Sequence, residues 1–138
     1  MFKHILLPTD GSELSESAVK TGVHLAKALG AKVTGLTVIP KPPYSGEEER
    51  ERESSATAKI NEHLLFVKIV ANGHDVDCDA MLVRGDSPAE EIIRVATELD
   101  CDLIVMASHG RKGLEAMLIG SETRAVLAHG HLPVLVCR

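Results

Sequence analysis

Aromatic side chains are nearly missing from this chain of 138 residues, which has no tryptophan, one tyrosine and two phenylalanines. Without such rings there is no platform for stacking single-stranded bases, and a formal net charge of -5 has the wrong sign for a phosphate backbone. We therefore expect no nucleic-acid partner. No apolar run approaches the roughly 20 residues that a membrane-spanning helix needs. The opening MFKHILLPTDGSE breaks at Pro8 before a secretory apolar region can develop. A soluble, cytoplasmic protein without a membrane partner is expected. Cys78, Cys101 and Cys137 form no CxxC pair and stand in apolar or strand-like surroundings, which predicts buried, reduced thiols. Neither a GxxxxGK[ST] phosphate loop nor a GxGxxG dinucleotide fingerprint occurs. What is present is ordinary for one folded domain: 44% hydrophobic and 25% charged residues.

Hydrophobic periodicity orders the elements. His4 to Leu7 reads as a strand, and Glu13 to Leu29 as a helix with its stripe on Leu14, Ala18, Gly22, Leu25 and Leu29. KVTGLTVI, from Lys32 to Ile39, is β-branched and strand-like, and the KPPYSG after it continues neither strand nor helix. A charged segment from Glu47 acquires a helical stripe at Ala56, Ile60, Leu64, Val67 and Ala71, with Asn72-Gly73 as its stop. A strand of about Val76 to Val83 follows. Ser87 as N-cap, Pro88 in the first turn and Glu90 three residues after the cap predict the next helix, carrying Ile92, Ile93, Ala96 and Leu99 inward. The fully apolar LIVMA, from Leu103 to Ala107, reads as a strand covered on both faces. A loop and a helix then lead to a last strand from Pro133 to Cys137.

Strict alternation of strand and helix predicts an α/β fold: a single doubly wound domain with a five-stranded, mostly parallel sheet of order 3-2-1-4-5 and helices on both faces. Its switch point lies between strands one and four, where ligands of open α/β sheets bind beyond the carboxyl ends. That brings PTDGS (Pro8 to Ser12) to ASHGRKG (Ala107 to Gly113). Gly110, Gly113 and Gly120 let backbone amides approach a ligand, and a helix N-terminus capped by Ser121 would attract phosphate, although such glycines also serve as plain turns. Arg111 and Lys112 are either phosphate contacts or solvated surface charges. Asp10 could accept from ribose hydroxyls, or could cap the first helix in competition with Ser12.

The segments HILLPTDGSELSESAV, LTVIP, RGDSPAEEII, DLIVMASHGRKGLEAMLIGSETRAVL and PVLVCR together resemble the universal stress protein family over essentially the whole chain. Its nucleotide-binding branch is similar in carrying Gly-x2-Gly-x9-Gly-[Ser/Thr]; here Gly110, Gly120 and Ser121 take the later positions, and Ala107 replaces the first glycine. The resemblance implies that Asp10 holds ribose and that Pro8, Thr9 and the backbone around Val38 frame adenine. Met106, Ala107, His109, Gly110, Gly120, Ser121, Glu122 and Thr123 would complete a site for ATP or AMP. Mg2+ or Mn2+ would be held by the phosphates rather than by protein ligands. His129 and His131 flank Gly130 without an evident third metal ligand. The resemblance further implies a homodimer, and the uncharged edge LPVLVC offers the surface for it.

The function expected is that of a non-catalytic stress-response sensor. A slow ATP hydrolase or nucleotidyl transferase on the same fold is one rival reading, and an interaction module that binds no nucleotide is another. A serine hydrolase does not fit this pattern, because Ser108 and His109, adjacent in sequence, are poorly disposed to meet as nucleophile and base, and no G-x-S-x-G occurs.

Overall fold

The structure, a computed structural model, describes residues 1–41, 46–110 and 119–138. Residues 42–45 of the KPPYSG loop, Arg111, Lys112 and Gly113, and the Ala56 side chain lie outside the described residues.

Among the described residues nine elements alternate: β1 (His4–Pro8), α1 (Glu13–Leu29), β2 (Lys32–Ile39), α2 (Glu47–Gly73), β3 (Cys78–Arg84), α3 (Pro88–Glu98), β4 (Leu103–Ala107), α4 (Ser121–His129) and β5 (Val134–Cys137). The strands form one sheet of order β3-β2-β1-β4-β5. Every neighbouring pair in it is parallel. The expected order is therefore seen, with parallel pairing throughout.

Side chains of the central strands alternate between two apolar layers, as a strand's period of two requires. Ile5, Leu7, Leu103 and Val105 pack with Val19, Val23 and Val67 of α1 and α2. Leu6, Ile104 and Met106 pack with Ile92, Val95 and Val126 of α3 and α4. Burial on both faces explains why LIVMA is a continuous apolar run.

Local boundaries differ from the sequence reading where tertiary contacts intervene. On α1 the buried face is Ser15, Ala18, Val19, Gly22, Val23 and Ala26, and Leu29 is 40% exposed. The stripe is thus rotated toward the β1–β4 groove. Ser12, not Asp10, caps α1, accepting from the Ser15 N–H. On α2 the stripe Ile60, Leu64, Val67 and Ala71 is buried. Its end is closed by Asp75 in the left-handed conformation (φ 54°) rather than by Gly73. The Val76 N–H returns to the Ala71 carbonyl, so β3 begins at Cys78 instead of Val76. Ser87 caps α3 as expected, its hydroxyl accepting from the Glu90 N–H. Of the cysteines only Cys101 is buried, and burial pushes its thiol up to about 11; Cys78 and Cys137 are half-buried, and all three are free.

Candidate functional site

Beyond the carboxyl ends of β1, β2 and β4 lies a cleft of about 580 Å3. Pro8, Thr9, Asp10, Val38, Met106, Ala107, His109, Gly110, Gly120, Ser121, Glu122 and Thr123 all line it. The residues singled out in sequence thus share one cavity. Ser15, Leu36, Pro40, Gly85, Asp86, Pro88 and Ile92 also line it and were missed. A clue to four of them stood in RGDSPAEEII, because the N-terminus of a helix following β3 must emerge at the same end of the sheet.

One end of the cleft is apolar, walled by Leu36, Val38, Pro40, Ile92 and Met106. It also exposes a strand edge. In a parallel ladder, successive residues direct their backbone groups alternately to the two neighbouring strands. Hydrogen bonds from Val33 N to Asp77 O and from Gly85 N to Ile39 O orient the odd-numbered residues of β2 toward β3. Those from Lys32 N to Lys3 O and from Thr9 N to Leu36 O orient the even-numbered ones toward β1. The β1–β2 register ends at Pro8 and Leu36. The next even residue, Val38, therefore turns its N–H and C=O to the cleft.

The opposite end is made of backbone. Gly120, not Ser121, is the N-cap of α4, and no side chain among the described residues caps the helix. The first intrahelical bond runs from Arg124 N to Gly120 O, so the N–H groups of Ser121, Glu122 and Thr123 lie ahead of the helical ladder. The helix dipole adds a favourable potential for an anion there. Neither glycine here has a positive φ; what each needs is room. A Cβ on Gly110 would lie 2.6 Å from Asp10 Oδ2, and one on Gly120 would lie 3.1 Å from the Ser108 carbonyl oxygen. Gly110 thereby allows the Asp10 carboxylate to cross the switch point. Ala107 ends β4 without a positive φ, so its methyl group imposes no backbone strain.

Several polar side chains at the cleft are already engaged. Thr9 Oγ1 meets Ser15 Oγ at 3.0 Å and accepts from Gly11 N, and the Thr9 carbonyl accepts from Thr37 Oγ1. Asp10 Oδ1 accepts from Ser12 N at 3.0 Å, which shapes the turn. Thr123 donates its hydroxyl to the Ala107 carbonyl at 2.8 Å, tying α4 to the end of β4. Glu122 Oε2 accepts from Ala89 N at 2.9 Å, so its carboxylate serves the N-terminus of α3. Ser108 and His109 do meet, contrary to expectation, with Oγ and Nδ1 3.0 Å apart. The Ser108 hydroxyl is nevertheless buried, and Ser108 is not among the described residues lining the cleft.

The sequence model of the Universal stress protein family matches residues 1–138. The chain belongs to the universal stress protein family. Among its relatives, universal stress protein MJ0531 of Methanocaldococcus jannaschii is 34% identical over 142 residues, spanning 100% of this chain and 83% of its own length. The solved structure of hypothetical protein MJ0577 superposes with a TM-score of 0.84 at 33% identity, covering 99% of this chain and 96% of that one. The universal stress protein from Archaeoglobus fulgidus in complex with dAMP shares the fold, with a TM-score of 0.74 at 20% identity and coverage of 100% and 98%. Among the described residues, no helix of this universal stress protein is long and apolar enough to cross a membrane.

Proposed function

We propose that the protein binds an adenine nucleotide, ATP or AMP, in this cleft and acts as a non-catalytic, cytoplasmic stress-response sensor. The observation that carries the reading is one cavity with, among the described residues, a helix N-terminus free of any side-chain cap at one end and the open Val38 edge at the other. The first suits phosphate. The second suits adenine, whose amino group donates where guanine presents a carbonyl acceptor. Val38 C=O and N–H match an N6 amino donor and an adjacent ring-nitrogen acceptor, and they oppose the guanine pattern. Asp10, between the two ends, faces the position of ribose. An Archaeoglobus fulgidus protein of the same fold in complex with dAMP supports the choice of ligand.

Carboxylates of Asp10, Asp86 and Glu122 line the cleft, and the described lining residues include no lysine or arginine. Mg2+ or Mn2+ arriving with a polyphosphate would supply positive charge there, held by the phosphates with waters completing the shell. The same reading includes a homodimer through β5. That edge of the sheet carries no charge and leaves Leu135 40% exposed, whereas the β3 edge exposes Asp79 and Arg84. Val136→Glu should therefore produce monomers in light scattering.

The direct test is to denature purified protein, identify any released small molecule by mass spectrometry, and titrate ATP, AMP and cyclic AMP into the emptied form. Absence of both bound nucleotide and sub-millimolar affinity would overturn the reading. ATP hydrolysis that survives purification and disappears in Asp10→Ala would convert the sensor into a slow hydrolase.

A further inference from the structure

Two glycines have the place of their missing side chain filled by the same helix. A Cβ on Gly35, in β2, would stand 2.9 Å from Val67 Cγ1. One on Gly11, in the turn between β1 and α1, would fall inside the imidazole ring of His63, against Nε2, Cε1 and Cδ2. Val67 and His63 lie one turn apart on α2, on neighbouring parts of one face. The bare backbone of Gly35 lets α2 lie close on the sheet with Val67 fully buried. One turn earlier, toward the carboxyl end of the sheet, the same approach lays the His63 ring on Gly11.

Gly11 is the centre of the turn that carries Asp10, and its backbone is left-handed, with φ at 78°. Hydrogen bonds bracket it: its own N–H donates to Thr9 Oγ1 at 3.2 Å, and Asp10 Oδ1 accepts from Ser12 N at 3.0 Å. Glycine reaches this conformation without strain, but it also has the most alternatives to lose. A flat ring packed on its Cα takes away the space those alternatives need. The other oxygen of the same carboxylate, Oδ2, lies toward Gly110, where a Cβ would be 2.6 Å from it. The direction in which Asp10 crosses the switch point is thus set by the shape of the turn at Gly11. His63 is not among the described residues that line the cleft, so it reaches the site through this glycine.

We infer that His63 is a positioning residue for Asp10: its ring closes the Cα face of Gly11 and holds the turn 9–12 in the shape that sends the carboxylate across the cleft. The inference rests on the nucleotide reading, in which Asp10 faces ribose, and deepens it. The sugar hydroxyls, rather than the base or the phosphate, are the part of the ligand whose recognition depends on α2. What the role needs is a flat ring on Gly11, and a phenyl ring supplies one.

Two measurements test this on the full chain. In the protein without nucleotide, NMR should show the Ser12 amide, which donates to Asp10 Oδ1, exchanging its hydrogen about tenfold faster in His63→Ala than in wild type. His63→Phe should exchange at the wild-type rate. Equal rates in all three proteins would show that the turn holds without the ring and overturn the inference, whatever binds in the cleft. By calorimetry, wild type should bind AMP about tenfold more tightly than dideoxy-AMP, whose sugar lacks both hydroxyls. His63→Ala should erase that preference by weakening AMP alone, His63→Phe should keep it, and in an Asp10→Ala background His63→Ala should cost AMP nothing further. Equal losses for the two nucleotides, or the same loss in His63→Phe as in His63→Ala, would reduce His63 to general packing and sink the proposal. If AMP does not bind the wild type, the nucleotide reading fails and the ribose half of the inference falls with it. Ser12 exchange still decides whether His63 holds the turn.

Discussion

Two histidines stand at opposite ends of the same sheet. At the amino end, His4 Nδ1 donates to the Leu99 carbonyl at 3.1 Å, and Nε2 accepts from Thr34 Oγ1 at 2.7 Å. Asp102 adds two links there, accepting from Lys3 N and His4 N. At the carboxyl end, among the described residues, His109 has a partner at Nδ1 and none at Nε2. The difference separates two tasks. Where the sheet only has to be held together, each ring nitrogen has a protein partner, as buried polar groups generally require. Around the cleft, by contrast, backbone groups are left unmatched among the described residues: the α4 amides and the Val38 edge. Lost protein-protein hydrogen bonds at that end are the structural cost of a site.

If this division is right, substitutions at the two ends should separate binding from stability. The largest effect is expected from Gly120→Val combined with Ser121→Ala, which fills the space beside Ser108 and disturbs the helix N-terminus. AMP affinity should fall at least about a hundredfold, equivalent to two charge-assisted hydrogen bonds, with an unchanged circular dichroism spectrum. Undiminished affinity by calorimetry would move the phosphate site elsewhere. Thr34→Val should do the reverse. It strands His4 Nε2 in the core and should cost about 1–3 kcal/mol in urea unfolding, leaving AMP affinity as it was.

Acid should reach the amino end first. Burial pushes the His4 pKa below the ordinary histidine value of 6.5, with the Leu99 carbonyl partly offsetting it. The unfolded chain then takes up a proton before the folded one does, so stability is full above pH 6.5 and falls as the pH drops toward the folded pKa. Burial pulls the Asp102 carboxyl up, but the Lys3 and His4 amides more than reverse this and hold it below its usual value. Its share of stability is present above the unfolded value of 3.8 and is lost as the pH falls through the folded one. Melting curves of His4→Gln should accordingly flatten between pH 7 and 5 relative to wild type.

The smallest effect is expected at Glu122, which stands in the cleft yet is closed like the amino end. Glu122→Ala removes the acceptor for Ala89 N at the start of α3. It should cost about 0.3–1 kcal/mol of stability, the worth of a carboxylate at a helix N-terminus. AMP affinity should change by less than in the Gly120→Val variant, because the Glu122 carboxylate is already held by Ala89 N. A larger loss of affinity than of stability would place the carboxylate on the ligand instead.

Much of this was legible from local pattern. The alternation of strands and helices, the Ser87-Pro88 start of α3 and the doubly buried LIVMA strand depend on residues a few positions apart. Those patterns set the sheet order, which in turn brought PTDGS to the loop after β4. The α1 stripe was right at Ala18 and Gly22 but turned at its edges, Leu29 being exposed, because a helix with apolar residues on more than one face is oriented by what it packs against, here the groove where Val19, Val23 and Ala26 meet Ile5, Leu7 and Val105.

Sequence by itself determined the layers, the strand order and the cleft-lining residues on the β1 and β4 loops, since period, capping chemistry and crossover handedness are local rules. Tertiary structure alone decided which polar atoms are satisfied. Glu122 meets Ala89 across 33 positions and Asp102 meets Lys3 across 99, and no spacing rule reaches that far. Even the contact between Ser108 and His109, neighbours in the chain, sits on a Ser108 backbone that Cys137 and Gly120 hold from distant parts of the chain. Whether a donor is open or closed depends on what the fold carries within about 3 Å of it, and that is a property of packing.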